Sequence, residues 1–416
     1  MNVAIIGSGG REHSIAWKIR QSSLAEKIYV LPGNGGIRES FKIDINDFKA
    51  VKDFCIGHNV GLIIIGPEVP LAQGIADYFA KSKIKIFGPK REAARLESSK
   101  IWAKRFMQKY GIPTASFKVF ERPINIKEVE KAIFEFEGNV VLKYDGLAAG
   151  KGVYVCNSVK EASEALWKLN ESYGENLEIV FEEKLKGNEI SIIGITDGKS
   201  IKLLSVSRDH KRLRDDNKGP NTGGMGAFTP VDFYTPELKK QIEELIIEPT
   251  LRGLQSENIE YMGVLYFGIL IADGKPNLLE YNARFGDPET EVILPALRND
   301  LLKLILDCIE GRLSKTEVEL DLNFFIDVVA VSGGYPDSYK TGYEIKGLDD
   351  VGNDIVIFHA GTKCENGKIY TSGGRVLNIV ASGNDFETAR LKVYSALEKI
   401  LFNGMYYRKD IGRNSL

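Results

Sequence analysis

Glu280, Asn282 and Arg284 occupy alternate positions in Glu280-Tyr281-Asn282-Ala283-Arg284-Phe285-Gly286-Asp287-Pro288-Glu289-Thr290. On an extended backbone alternate residues share a face, so these three polar ends point the same way. A carboxylate and an amide oxygen suit a hard cation such as Mg²⁺, and a guanidinium beside them suits an anion. Upstream, Lys143-Tyr144-Asp145-Gly146-Leu147-Ala148-Ala149-Gly150-Lys151-Gly152 closes on a lysine between two glycines. Such a loop can cover and neutralise a polyphosphate. Together the two stretches describe a nucleotide–Mg²⁺ site arranged for phosphoryl transfer.

Each residue alone has a plainer reading. Lys143 or Lys100 by itself is an ordinary solvated lysine, and Glu280 a surface carboxylate. Three polar groups on one strand face leave little apolar surface there to bury, which favours the ligand reading. Asp287 before Pro288 starts a turn, caps the next helix with Pro288 at its first position, or touches substrate. The residues alone leave these open. His210 reads as a locally hydrogen-bonded residue and His13 as the start of a helix. The glycines at 219, 223, 224 and 226 permit a tight path or offer backbone N–H groups to an anion.

Composition narrows the class. A chain of 416 residues is expected to form about three domains. A net charge of −2 gives no basic field for nucleic acid. Cys55, Cys156, Cys308 and Cys364 are scattered, so neither a zinc site nor a disulfide framework is expected, and a reducing cytoplasm fits. Met1-Asn2 leads directly into a strand-like run, which argues against a signal peptide, and no apolar run approaches the ~20 residues of a membrane span. No exposed heptad or long apolar surface helix announces an interface, so the sequence leaves the oligomeric state open, with a monomer as the working expectation.

The elements that must position these groups alternate from the start. Apolar runs at Val3–Ile6, Lys27–Leu31, Leu62–Ile65 and Lys85–Phe87 are separated by helical stretches near 12–20, 47–57 and 74–81. This order predicts a parallel, doubly wound sheet, with ligands beyond the strand carboxyl ends. Those ends are Gly7-Ser8-Gly9-Gly10-Arg11-Glu12, Pro32-Gly33-Asn34-Gly35-Gly36 and Gly66-Pro67-Glu68-Val69-Pro70. The first loop invites a dinucleotide reading, but Glu12 stands where the third glycine would fall. Pro32-Gly33-Asn34 also replaces the acid expected for the ribose, so phosphate binding is the better reading.

Beyond Gly88-Pro89 the pattern predicts a helix at 99–110 and strands at 116–120, 140–143, 153–156, 178–183, 190–195 and 201–207. Helices are predicted near 126–137, 159–169 and 236–257, and strands at 263–271 and 277–281. The segment 209–230 carries no apolar periodicity, and a loop of that length is usually functional. Strands at 325–331, 355–359 and 375–381 and a helix at 386–401 suggest a smaller α+β unit.

Gly7–His13, Gly66–Leu71, Lys143–Val153, Asp209-His210-Lys211, Gly219–Ala227, Glu280–Thr290 and Arg408-Lys409-Asp410-Ile411-Gly412 run in the order of one family. In this the chain resembles the phosphoribosylamine–glycine ligases, or glycinamide ribonucleotide synthetases, of the ATP-grasp superfamily, over essentially its whole length. The resemblance implies an α/β and α+β protein with three units: an N-terminal phosphoribosylamine-binding domain (1–99), an ATP-grasp domain (100–325, with a mobile lid near 114–185), and a C-terminal α+β domain (326–416). It implies ligation of glycine to 5-phosphoribosylamine with ATP cleaved to ADP and phosphate through a glycyl phosphate.

For ATP the resemblance implies Lys100, Lys143, the flap residues Gly150, Lys151 and Gly152, the hinge Glu182, Glu183 and Leu185, and Glu189 at the ribose. Glu280 and Asn282 would hold Mg²⁺ or Mn²⁺, and Arg284 with Asp287 would act at the reacting groups. Substrate contacts fall to Gly9, Gly10, Arg11, Glu12, Asn34, Gly66, Pro67, Glu68, Asp209, Lys211 and Pro220-Asn221-Thr222-Gly223-Gly224-Met225-Gly226. One departure concerns the strand Gly263–Ile271, which carries no acid where many ATP-grasp members place a second metal ligand. Either the metal shell holds more water or the second ion is held mainly by ATP. The rivals are another ATP-grasp amine ligase and a nicotinamide-dependent oxidoreductase.

Overall fold

A computed structural model describes residues 1–148 and 152–413. Near the N-terminus, Asn2–Gly7 lies between Lys27–Pro32 and Val60–Ile65, and Lys85–Phe87 forms the far edge. All pairings are parallel. Val3, Ala4, Ile5 and Ile6 are fully enclosed, as expected of a strand covered on both faces. The helices Gly10–Ile19 and Phe48–Gly57 match the sequence pattern. The helix expected over 74–81 is instead two short ones, Glu68–Gln73 and Ile75–Phe79. Gly74, at φ 90°, breaks them, a conformation that costs glycine little.

A second sheet has the order Phe117–Phe120, Ile179–Glu183, Val140–Tyr144, Val153–Val155, all antiparallel. The helices Ile126–Glu135 and Val159–Tyr173 supply Val129, Ile133 and Leu166 to a core of its own with Val140, Leu142 and Phe181. This unit therefore keeps its packing separate from the rest.

The largest sheet has eight antiparallel strands, ordered Lys275–Asn282, Gly263–Ala272, Asn188–Thr196, Ile201–Asp209, Gly226–Thr229, Phe324–Val331, Arg375–Gly383, Ile355–His359. It includes strands from both sides of residue 325. The link is Gly226–Thr229, which pairs with Ile201–Asp209 on one side and Phe324–Val331 on the other. Segment 209–230 is thus not structureless. It also carries a small hairpin, Arg212–Arg214 with Lys218–Asn221. Four buried residues are too short a run to display a period, which is why the sequence hid this strand.

The helices Thr290–Ala296 and Leu301–Ile309 add to those that the sequence pattern predicts. Thr290–Ala296 is buried almost all round, so it shows no polar face. Leu301–Ile309 does show one, with Leu301, Leu304, Ile305 and Cys308 buried and Asp300 capping Lys303 N. The helix expected over 236–257 runs through a π turn at Glu243–Ile247 just before Pro249. The widened turn absorbs the proline's missing N–H.

Candidate active site

The strand Lys275–Asn282 positions the central polar groups. Its pairing with Gly263–Ala272 runs Ile269 to Leu278 and then Gly268 to Glu280, so Leu279 is the extra residue of a β-bulge. The bulge aims Glu280 and Asn282 into a cleft, while Tyr281 is buried on the other face. Gly268 stands opposite Glu280, and a Cβ there would lie 3.2 Å from Glu280 Cγ. Four cations face that carboxylate. Burial disfavours its charge, but Lys211, Lys143, Lys100 and Arg284 outweigh this and hold Glu280 below the ordinary carboxylate range.

Arg284 is fixed from several sides. Nη2 lies 3.0 Å from Glu97 Oε1 and donates to Asn282 Oδ1 at 3.3 Å; Nη1 donates to Phe285 O at 3.1 Å, and Nε is 3.6 Å from Glu68 Oε2. Glu97 also accepts from Ala283 N at 2.7 Å. Burial opposes the charge on Arg284, yet Glu97 and Glu68 raise its pKa further above the usual range.

The first and third N-terminal loops converge on the same end. Arg11 Nη1 donates to Phe285 O at 3.2 Å and Arg11 Nε to Glu12 Oε1 at 2.5 Å, while Gly9 N donates to Glu12 Oε2 at 2.6 Å. Glu12 fills the space between Gly7 and Gly66, where an added Cβ would stand 2.5 and 2.0 Å from its side chain. A carboxylate therefore occupies ground that a dinucleotide pyrophosphate would need. Asn34, on the second loop, donates to Ser8 O at 2.9 Å and His359 O at 2.6 Å. Pro67 occupies the position just before the helix that begins at Glu68.

Two clefts adjoin this centre, of about 170 and 690 Å³. The larger is of ligand size. Ala115, Val141, Val155, Leu185, Leu270 and Leu279 give it apolar walls, and Glu189, Lys211 and Lys143 give it charge. Lys211 Nζ is 2.7 Å from Glu189 Oε2. Lys143 lines both clefts, 2.7 Å from Glu182 Oε1, and donates to Leu279 O at 3.3 Å. Lys100 donates to Gly146 O at 2.9 Å. Gly152 lines the smaller cleft; Gly150 and Lys151 lie outside the described residues. Glu183 accepts from Ser116 N at 2.9 Å, a strand-edge contact.

The loop after Asn221 is tied on both sides. Thr222 N donates to Lys211 O at 2.8 Å, Gly223 N to Tyr335 Oη at 2.9 Å, and Met225 N to His210 O at 2.9 Å. Pro220 is exposed, whereas Met225 packs against Val329 and Val331. At Gly224, φ 112°, a Cβ would stand 2.3 Å from Pro288. Gly226 begins the linking strand, and Gly10 opens the first helix. Asp209 is buried beside Glu289, and both effects push its pKa well up.

One expectation needs correction. Asp287 does not cap the following helix with Pro288 at its first position. That helix starts at Thr290, and the Asp287–Pro288 bond is cis. Asp287 Oδ1 instead pairs with Arg375 Nη1 at 2.9 Å, and the same nitrogen donates to Gly223 O at 2.6 Å.

The residues fit a hard cation only as a partial shell. Glu280 and Asn282 offer two oxygens, and among the described residues no three His, Cys, Asp or Glu side chains converge as a metal centre. The remaining positions would fall to phosphate oxygens and water.

Family models describe the chain as phosphoribosylglycinamide synthetase in three parts: N domain over residues 1–97, ATP-grasp (A) domain over 98–290 and C domain over 325–414. The chain belongs to this family. The phosphoribosylglycinamide synthetase relatives include the phosphoribosylamine–glycine ligase of Clostridium acetobutylicum, 44% identical over the full length of both chains. That of Caldanaerobacter subterraneus subsp. tengcongensis is 43% identical over 99% of each. The crystal structure of the Thermotoga maritima ligase superposes with a TM-score of 0.84 at 39% identity, covering 99% of this chain and 100% of the other. A Hydrogenobacter thermophilus biotin carboxylase domain, solved with MgADP and bicarbonate, has a TM-score of 0.71 at 17% identity over 97% and 91% of the two chains, a likeness of fold. Within this phosphoribosylglycinamide synthetase chain, Lys104, Glu97, Arg375 and Tyr335 reach the site without having been singled out in the sequence. Lys104 carried a signal, four residues after Lys100 and so on the same helix face.

Proposed function

We propose that this chain joins glycine to 5-phosphoribosylamine, forming glycinamide ribonucleotide with ATP cleaved to ADP and phosphate. The observation that carries the reading is Glu280 among Lys211, Lys143, Lys100 and Arg284, beside a cleft of nucleotide size. Adenine enters between the apolar walls at Leu185 and Leu279, with Glu189 toward the ribose. Lys100 and Lys143 neutralise phosphate oxygens. Glu280 and Asn282 would hold Mg²⁺, or Mn²⁺ in its place, and that ion would neutralise phosphate charge during transfer.

The glycine carboxylate attacks the γ-phosphorus, breaking its bond to ADP and giving glycyl phosphate. The amine of phosphoribosylamine then attacks the acyl carbon, loses a proton, and releases phosphate. Arg284, held by Glu97 and Glu68, presents a planar fork to the transferring phosphoryl group. Phosphoribosylamine lies along Gly9–Glu12, Asn34 and Gly66–Glu68, and Asp209, Lys211 and Pro220–Gly226 complete the substrate side. In this reading residues 1–99, 100–325 and 326–416 act as the three units, with 114–185 as the lid. The enzyme works as a cytoplasmic monomer without nucleic acid. No described helix is long and apolar enough to cross a membrane.

ADP release measured with glycine and freshly generated phosphoribosylamine, omitting each in turn, tests the reading. Full turnover is expected only with both. ADP release unaffected by leaving out either would overturn it.

A further inference from the structure

Lys104, on the helix Lys100–Lys109, has a side chain only 2% exposed. Its Nζ lies 3.2 Å from Glu182 Oε2 and donates to Thr114 Oγ1 at 2.5 Å, and that hydroxyl donates to Leu278 O at 2.5 Å. The other Glu182 oxygen is 2.7 Å from Lys143 Nζ. One buried carboxylate therefore carries two ammonium partners. A one-to-one buried pair already balances its charge, so a second cation in so enclosed a place calls for a reason. Burial draws the Lys104 pKa down to about 8, with Glu182 opposing.

We propose that Lys104 is a positioning residue that supplies the standing counter-charge of Glu182, leaving Lys143 free to turn its ammonium to the nucleotide phosphates. With both lysines present the group carries a net positive charge toward the cleft. Without Lys104, Lys143 becomes the sole counter-ion of a buried carboxylate, and reaching a phosphate means breaking that pair. Thr114 holds Lys104 against the strand of Glu280, so the counter-charge stays when Lys143 moves. The proposal rests on Lys143 being a phosphate-binding lysine.

Steady-state kinetics of the full chain test it with Lys104→Met, Lys104→Gln, Glu182→Gln, Lys143→Met and the Lys104→Met/Glu182→Gln double variant. Each Lys104 variant should raise the ATP KM about tenfold and leave the glycine and phosphoribosylamine KM values within about twofold. Adding Glu182→Gln to Lys104→Met should return the ATP KM to that of Glu182→Gln alone, because the charge that captured Lys143 is gone. A role in packing alone would not give that rescue. Lys104→Gln keeps a hydrogen-bonding end beside Thr114 and lacks only the charge, so it carries the test if the Met variant does not fold. A wild-type ATP KM in the Lys104 variants, or single effects that simply multiply, would overturn the proposal. If Lys143→Met leaves the ATP KM unchanged, the phosphate role of Lys143 falls, and the proposal with it; if only the Lys104 variants are silent, that role stands alone.

Discussion

Arg284 is the residue whose geometry says most about its task. Its guanidinium is braced by Glu97, Glu68, Asn282 and a backbone carbonyl, so it is positioned before any substrate arrives. A lysine could keep the charge but not the planar fork or these several fixed contacts. Arg284→Lys is therefore expected to lose roughly a hundredfold in kcat, the scale of removing one preorganised donor, with little change in ATP affinity. Wild-type kcat in the Lys variant, or a loss confined to ATP binding, would remove Arg284 from the transferring group. Much at this scale was legible: the alternation of Glu280, Asn282 and Arg284 gave their shared direction. The bulge at Leu279 was not, since register depends on the partner strand and on Gly268 opposite. Glu97 and Arg375 were hidden because their partners lie far away in sequence.

Elements tie the site together across long sequence distances. Arg408, only 1% exposed, donates to Arg212 O at 3.0 Å and Asn217 Oδ1 at 3.1 Å, and pairs with Asp410 through two bonds of 2.7 and 2.6 Å. Asp410 also accepts from Asp216 N at 3.0 Å. The C-terminal segment thus holds the hairpin that walls the larger cleft. Arg408→Met should raise the ATP KM several-fold and increase protease cleavage within 212–221; unchanged values of both would deny the clamp. The motif was visible in sequence, but its target was not, because the hairpin has no apolar period. A second tie joins the helix Gly10–Ile19 to the strand Ile355–His359: His359 N donates to His13 Nδ1 at 2.9 Å, so His13 is neutral with its proton on Nε2. Burial, with His359 and Arg20 nearby, lowers its pKa to about 3. Below pH 6.5 the unfolded chain takes up a proton that the folded chain refuses. Stability is therefore lost as pH falls from 6.5 toward 3, by up to ~1.4 kcal/mol per pH unit from this residue. His13→Asn, which keeps an acceptor, should flatten the pH dependence of urea unfolding between pH 6.5 and 4. An equal slope in both proteins would show that His13 is not responsible.

At the scale of the molecule, the site is an assembly. The parallel sheet brings its loops to the Arg284 end of the central sheet, the four-stranded antiparallel unit lines both clefts through Lys143 and Glu182, and the C-terminal strands brace the site with Arg375. The first ninety residues were readable because parallel strands are continuous apolar runs. The single eight-stranded sheet was not, since its joint is the short strand Gly226–Thr229. The chemistry claimed for this assembly is transfer of the γ-phosphoryl group to the carboxylate of glycine. Glycine labelled with oxygen-18 in its carboxylate follows that step directly, by mass analysis of the phosphate released during turnover with ATP and phosphoribosylamine. The expected result is one labelled oxygen in each phosphate, matched by one ADP and one ligated product. Phosphate carrying no label while product forms would contradict it.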